Sequence, residues 1–375
     1  MIHISSAFDS GNIVVEDAGD PSAIRLSIRK DARSDFYQWF HFRLSGGAGH
    51  TVGIRIVNAG GAAFVGGWED YGVCASYDRE AWFRIPTTYE DGELRWSHVP
   101  DHDIVHYAYF PPYSRERHLD LVAGAQISPL ATHRVLGHTV HGRDMDALAV
   151  GEGPLCAWVI ARQHPGEAMA EWWMEGFLAR LLDEDAALAA EARSLMRFHI
   201  VPNMNPDGSV MGHLRTNAVG ANLNREWNIA TAERSPEVLC VREAMDADPP
   251  ALCLDVHGDE ALPYNFIAGA EGIPGHTDDQ AAQLALFLDA YKAATPEFQT
   301  ARGYAKTAPG KANLSMCTNY TAHAYGGLAM TLEMPFKDNA DHPDPQAGWS
   351  IARCRSLGHD ALEAMVVWAR SRRAG

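Results

Sequence analysis

No two of the six cysteines (Cys74, Cys156, Cys240, Cys253, Cys317 and Cys354) form a C-x-x-C pair. That spacing excludes a cysteine zinc site and argues against a disulfide framework; reduced thiols packed as small apolar groups suit it better. Positive charge is scarce as well. Against 48 Asp and Glu stand 31 Lys and Arg, a formal net charge of −17, so the surface repels phosphate backbones and anionic lipid, and neither nucleic acid nor membrane is expected as the main partner. No apolar run approaches the roughly 20 residues that span a bilayer. The first twenty residues carry Asp9, Glu16, Asp17 and Asp20 without a sustained apolar stretch, and a cytoplasmic protein is the expectation. Repeats and low-complexity segments are absent too. What the chain has is 46% apolar residues, with 10 Trp, 12 Tyr and 13 Phe among its 375 residues, enough to build more than one packed core.

Up to about residue 110 the apolar pattern has period two. Ile24, Leu26 and Ile28 alternate with polar residues, as do Val52, Ile54 and Ile56, which is strand periodicity. The stretch Phe36-Tyr37-Gln38-Trp39-Phe40-His41-Phe42 suits a strand covered on both faces. Glycine-rich turns separate these runs and no amphipathic helix stands out, so residues 1–110 are expected to form an antiparallel β-sandwich ending at Pro111-Pro112.

Residues 111–375 alternate strand and helix patterns, as expected of an α/β domain with an open mixed sheet and helices on both faces. Strands are expected at 135–141, 147–150, 155–162, 197–202, 251–256, 264–268 and 328–333. Met169, Trp172, Trp173, Gly176, Phe177 and Leu181 fall at helical spacing, and 284–293 and 351–369 also read as helices.

The apolar strand Ala157-Trp158-Val159-Ile160-Ala161 runs into Arg162-Gln163-His164-Pro165-Gly166-Glu167. Pro165 suits a first helical position, which would put His164 and Glu167 in the first turn, at the carboxyl end of a strand where open α/β sheets bind ligands. A second buried-strand pattern, Ala251 to Val256, delivers His257 followed by glycine. Two histidines and a glutamate would make three protein ligands and leave the fourth position of a tetrahedral zinc open to water. Alternatively, His257 is a strand-end histidine satisfied by Asp255 or Asp259, and Glu167 merely complements a helix start. Between these segments lies Asn203-Met204-Asn205-Pro206-Asp207-Gly208, which reads as a turn. Arg215 and Arg225 follow in a loop of small and amide residues, where guanidinium groups can grip a carboxylate or stabilise an oxyanion. They can equally sit in surface ion pairs.

The succession His-Pro-Gly-Glu, Asn-Pro-Asp-Gly, Arg215 nine residues ahead of Asn224-Arg225, Asp-Val-His-Gly and Thr331-Leu332-Glu333 resembles the M14 metallocarboxypeptidases. The β-rich front with Trp39-Phe40-His41-Phe42 resembles their cytosolic carboxypeptidase branch. The resemblance implies one zinc per chain held by His164, Glu167 and His257, the ligand set of carboxypeptidase A. It also implies Arg215 as the oxyanion donor, Asn224 and Arg225 as the clamp on the substrate's terminal carboxylate, and Glu333 as the general base. Glu333 otherwise has Lys337, four residues on, as a simple ion-pair partner. Tyr320 is the position matching the family's mobile tyrosine, with Tyr325 its rival, and Asp255 is placed behind the ligands as an orienting partner. The expected reaction removes a C-terminal residue from a peptide or protein. An acidic residue would suit a basic pocket made by Arg302, Lys306 and Lys311. Two other readings stand beside it: an N-acyl amino acid hydrolase of the aspartoacylase type, and an inactive binding protein on the same scaffold.

Overall fold

Alternating burial decides the architecture of the front of the chain. In the computed structural model, which describes residues 1–373, ten strands precede the first α-helix: β1 (His3–Ser5), β2 (Val14–Asp17), β3 (Ile24–Ser27), β4 (His41–Ser45), β5 (Val52–Ile56), β6 (Val73–Ser76), β7 (Phe83–Ile85), β8 (Thr87–Glu90), β9 (Glu93–His98) and β10 (Ile104–Ala108). They form two five-stranded sheets, β1-β4-β10-β6-β7 and β2-β3-β5-β9-β8. Ile24, Leu26, Val52, Ile54 and Ile56 are buried, as the period-two pattern requires. Phe42 and Tyr107 from the first sheet, with Phe40 just ahead of β4, close on Trp96 from the second, at ring-centroid distances of 5.8 to 6.4 Å.

Two details differ from the sequence expectation. The pair β3 and β5 is parallel, because β4 lies in the opposite sheet and the chain crosses over and returns between them. The aromatic stretch becomes a strand only at His41. Residues 37 and 38 spend their polar groups on a neighbouring loop, where Ala63 N–H donates to Tyr37 O and Phe64 N–H donates to Gln38 Oε1.

The rest of the chain contains α1 (Arg115–Ile127), β11 (Ala131–His138), β12 (Asp144–Val150), β13 (Leu155–Ala161), α2 (Met169–Leu181), α3 (Ala187–Leu195), β14 (Met196–Val201), α4 (Pro206–Met211), α5 (Pro236–Ala247), β15 (Leu252–Asp259), β16 (Phe266–Ala268), α6 (Asp278–Ala294), α7 (Cys317–Tyr325), β17 (Leu328–Pro335) and α8 (Ile351–Arg373). The seven strands make one mixed sheet, β11-β12-β14-β13-β15-β17-β16, whose central strands β14, β13, β15 and β17 are parallel. Each β13 residue chooses a face: Ala157, Val159 and Ala161 join the core under α2 and α8, whereas Cys156, Trp158 and Ile160 join the core under α5 and α7. The helices α1, α3, α5 and α7 were not anticipated from the sequence, although α5 carries a short apolar stripe, Val238, Val241 and Met245, that the structure buries. Asn-Pro-Asp-Gly is more than a turn, since Asn205 caps the short helix α4 by accepting from Gly208 N–H at 3.1 Å. The first core continues into the front sheets through Tyr109 stacked on Phe336 at 4.6 Å and Tyr113 against Trp172 at 4.7 Å. Among the described residues, no helix is long and apolar enough to cross a membrane.

Helices α2 and α8 touch backbone to backbone. A Cβ on Gly176 would lie 2.0 Å from Arg355 O, and one on Gly358 would lie 2.0 Å from Trp173 O. An exposed helical Gly→Ala change ordinarily stabilises by about 1 kcal/mol. Here overpacking reverses the sign, and Gly176→Ala and Gly358→Ala should each lose about 1 to 3 kcal/mol in chemical denaturation. A raised midpoint in either variant would mean that the helices can separate freely.

Candidate active site

Because β13, β15 and β17 are parallel neighbours, their carboxyl ends open on one edge of the sheet. His257 in β15 stands opposite Glu333 in β17, and His164 follows the end of β13. The helix after it begins at Met169 rather than at Pro165. Residues 164–168 form a turn whose Gly166 N–H donates to Leu214 O at 2.9 Å. That bond to another loop draws the backbone off a helical path.

His164 Nδ1 lies 2.6 Å from Glu167 Oε1, and His257 Nδ1 lies 2.7 Å from Glu167 Oε2. Each ring has an acceptor on its far side: Asn222 Oδ1 is 3.1 Å from His164 Nε2, and Asp255 Oδ2 is 2.9 Å from His257 Nε2. Such outer partners hold the ring proton on Nε2 and aim the Nδ1 lone pair inward. With the proton on Nε2 of each ring, two imidazole lone pairs and a carboxylate would face one point, a donor set that suits a cation of the zinc type; without a cation there, Glu167 is the hydrogen-bond partner of both rings. All three residues are buried, and their ligand atoms lie within 4.8 Å of one another. Burial and then the Arg215 charge push His164 down to about 4, which keeps its ring neutral. Against the burial that would raise it, the two histidines hold Glu167 below the usual carboxylate range. His257 goes the other way: burial opposes its charge, but Asp255 and Glu167 raise it.

A second set of buried polar residues fixes this turn. Gln163 donates to Asp255 Oδ2 at 2.6 Å and accepts from Trp227 Nε1 at 2.8 Å, while its carbonyl accepts from Asn205 Nδ2 at 3.0 Å. Arg162 takes the left-handed conformation, φ 59°, and is buried. Its guanidinium pairs with Glu171 and donates to Pro165 O at 3.0 Å and Tyr113 O at 2.9 Å. Glu171 is further bound by His118 at 2.7 Å and Asn203 at 2.8 Å. The buried charge is thereby compensated, and the carbonyl one residue past His164 is held.

Glu333 is buried, with Oε2 lacking any hydrogen-bond partner and Oε1 3.2 Å from the Tyr304 hydroxyl. Burial, followed by the Glu167, Asp259 and Glu260 charges and against the opposing effect of His257, holds its carboxyl well above the usual range. Lys337 turns away towards Gly66 O, 3.5 Å distant. Arg215, Arg225, His164, Glu167 and Glu260 line a pocket of about 170 Å³ that shares Asn224, Tyr304, Met316 and Glu333 with a larger cavity of about 500 Å³. Asn224 Oδ1 accepts from Cys317 N–H at 2.8 Å. Glu260 is also buried, and burial and then the Glu167 charge push it up to about 8.

Of the three tyrosines, Tyr304 lines both cavities at this site, whereas Tyr320 and Tyr325 line neither. Thr318 on α7 lines the larger cavity; Tyr320, two residues on, is turned by about 200° around the helix. Its ring packs 6.1 Å from Trp227 and 5.9 Å from the Arg242 guanidinium, and the Tyr325 hydroxyl donates to Asp246. Tyr304 instead donates to Asp259 Oδ2 at 2.6 Å. Sequence reasoning passed over Tyr304, Gln163, Asn222 and Glu260. Only Gln163, a polar residue at the end of an apolar strand, and Glu260, in His-Gly-Asp-Glu, carried a local signal.

Comparison with known proteins agrees with this geometry. Residues 4–110 match the cytosolic carboxypeptidase N-terminal domain and residues 118–365 match the zinc carboxypeptidase family. The crystal structure of a metallo-carboxypeptidase from Burkholderia cenocepacia is 46% identical, with a TM-score of 0.97, over 99% of this chain and 100% of that one. A metallo-carboxypeptidase from Pseudomonas aeruginosa, solved with (2-guanidinoethylmercapto)succinic acid, is 45% identical, with a TM-score of 0.95, over 97% and 98%. Cytosolic carboxypeptidase 3 of Bos taurus is 25% identical over 71% of this chain, which spans 30% of the bovine protein. The chain belongs to the M14 zinc carboxypeptidases, with the front domain of the cytosolic branch, and is a metallocarboxypeptidase.

Proposed function

We propose that this metallocarboxypeptidase acts through His164, Glu167 and His257 as the holders of one zinc, with Glu333 as general base. The observation that carries the reading is the meeting of three inward-facing lone-pair donors beside a buried carboxyl whose Oε2 is unpartnered. Zinc bound there would lower the pKa of water to about 7 and polarise a carbonyl. The remaining work falls to the side chains. Glu333 takes the proton of the attacking water on its carboxylate and passes it to the leaving amine, and its raised basicity suits that exchange near neutral pH. Arg215 stabilises the oxyanion. The Asn224 amide and the Arg225 guanidinium hold the terminal carboxylate of the substrate. Tyr304 supplies a hydroxyl over Glu333.

The larger cavity would receive the side chain of the residue removed, and Lys306 supports an acidic one. Its pair with Glu271 is long, at 3.3 Å, and Lys306 is 82% exposed, so a substrate carboxylate can replace Glu271 at little cost. Arg302 gives less support, being committed to Asp341 at 2.7 Å and stacked on Tyr264.

Metal analysis and turnover together test the core of this reading. His257→Ala should lose zinc. Glu333→Gln, which keeps the shape but cannot take the proton, should retain zinc and lose at least about 10²-fold in turnover. More than a tenth of wild-type turnover in the Gln variant would assign the base elsewhere. Zinc retained in the Ala variant would remove His257 from the ligand set.

A peptide library tests the substrate assignment. Free C-termini should be cleaved and amidated ones should not, because the half-buried guanidinium of Arg225 is left without its carboxylate. Glutamate should lead among the final residues, and Lys306→Ala should level that ranking. Equal cleavage of free and amidated peptides would refute the clamp, and an unchanged ranking in Lys306→Ala would refute the acidic pocket.

A further inference from the structure

The loop bearing Arg215 is held mainly by the front of the chain, beside one bond from Gly166 N–H of the ligand turn to Leu214 O. Asp31 is buried at 3% exposure, and its carboxylate accepts from the backbone N–H groups of Leu214 at 2.7 Å, Arg215 at 2.8 Å and Thr216 at 2.9 Å, and from Thr216 Oγ1 at 3.1 Å. Further ties run alongside. Ser10 N–H donates to Val210 O at 3.0 Å, Asn12 Nδ2 to Gly212 O at 2.8 Å, and Ala32 N–H to His213 Nε2 at 3.0 Å. The Arg215 guanidinium lies 5.1 Å from the Phe64 ring and 5.7 Å from the Phe36 ring, both from the front of the chain. Among the described residues it makes no ion pair. Gln38, fully buried, fixes Phe64 by accepting from its N–H at 2.8 Å and donating to its carbonyl at 3.0 Å.

We propose that the front sandwich is a working part of the active site, with Asp31 as the positioning residue that fixes the backbone of Arg215 while Phe36 and Phe64 orient its guanidinium. The division of labour has a physical reason. Charge-assisted bonds from one carboxylate to three consecutive N–H groups fix the direction in which the side chain leaves the backbone. Because that carboxylate is engaged by the main chain, it does not neutralise the guanidinium. Aromatic faces within about 6 Å favour a cation without occupying its N–H groups, which stay free for an oxyanion. A carboxylate in the place of the rings would hold the arginine as firmly and compete with the substrate.

The proposal rests on the reading of Arg215 as the oxyanion donor, and one set of variants in the full-length, zinc-loaded protein separates the two. With a free-carboxylate peptide that the wild type cleaves, Arg215→Ala should lower kcat by about 10²-fold or more. Asp31→Asn and Asp31→Ala should lower kcat by about 10- to 100-fold, since a misplacement near 1 Å has effects of that order. Zinc content should be unchanged and KM should move by less than about threefold, because the clamp and the cavity are untouched. The deciding readout is the pair Asp31→Asn with Arg215→Ala. If Asp31 acts through Arg215, the double variant is no slower than Arg215→Ala alone, whereas independent effects multiply. Multiplying losses, or Asp31 variants within about threefold of wild type, would overturn the positioning role while leaving Arg215 in place. Near-normal turnover in Arg215→Ala would sink the reading of Arg215 and this proposal with it. Should Asp31→Ala fail to fold, Asp31→Asn in both backgrounds decides.

Discussion

Three lone-pair donors aimed at one point repel each other unless a cation stands among them, and much of the buried polar structure keeps them so aimed. His164 and His257 are prevented from turning away because their outer nitrogens are engaged by Asn222 and Asp255. Asp255 is itself held by Gln163, and Gln163 by Trp227 and Asn205. Removing any one of these leaves a buried polar group unpaired, at a cost of about 1 to 3 kcal/mol. The arrangement is therefore stiff through mutual dependence rather than through any single strong bond.

Parallel pairing makes that convergence possible. Strands β13, β15 and β17 bring their carboxyl ends to the same edge, and the register that pairs His257 with Glu333 sets the proposed base beside a proposed ligand without any help from a loop. The turn after β13 is harder to form. Arg162 sits at φ 59°, a conformation costing about 1 kcal/mol or more for a residue with a Cβ. Its guanidinium offsets this by binding the Pro165 carbonyl and Glu171 at the start of α2. Strain and compensation thus lie in the same side chain, next to the first ligand.

What could be read in the sequence was what local pattern encodes. His164 and His257 stand at the ends of apolar strands, and helix α2, with its large apolar side chains at helical spacing, was plain. The start of that helix was misplaced because Pro165 suits a first helical position, whereas residues 164–168 form a separate turn tied to Leu214, nearly fifty residues away, a contact that local pattern cannot state. Tyr320 was weighed against Tyr325, and Tyr304 passed over, because distance along the chain to Glu333 carries no helical phase. The parallel pairing of β3 and β5 depends on which sheet receives β4, which alternation cannot state. Asp31 looks like any aspartate in a polar turn, and its partners lie more than 180 residues away.

The charge of the cleft follows from the same crowding. The chain carries a net charge of −17, and Glu167, Asp259, Glu260 and Glu333 gather around a pocket that has to admit a carboxylate. Counting charges alone would make that entry unfavourable. Like charges in a buried space cannot all ionise, and Glu260 is the one pushed up to about 8, by burial first and by the Glu167 charge next. Arg215 and Arg225 have no such way to discharge and remain fixed cations in the pocket. The field beyond about 8 to 10 Å is screened by physiological salt, so a peptide arriving at the cleft meets mainly the two guanidinium groups. Their attraction is strengthened by the low dielectric of the pocket and opposed only weakly by the distant surface. A strongly acidic protein can in this way present a short-range site for an anion, provided the cations are partly shielded from solvent and their partners are aromatic rings and backbone rather than carboxylates.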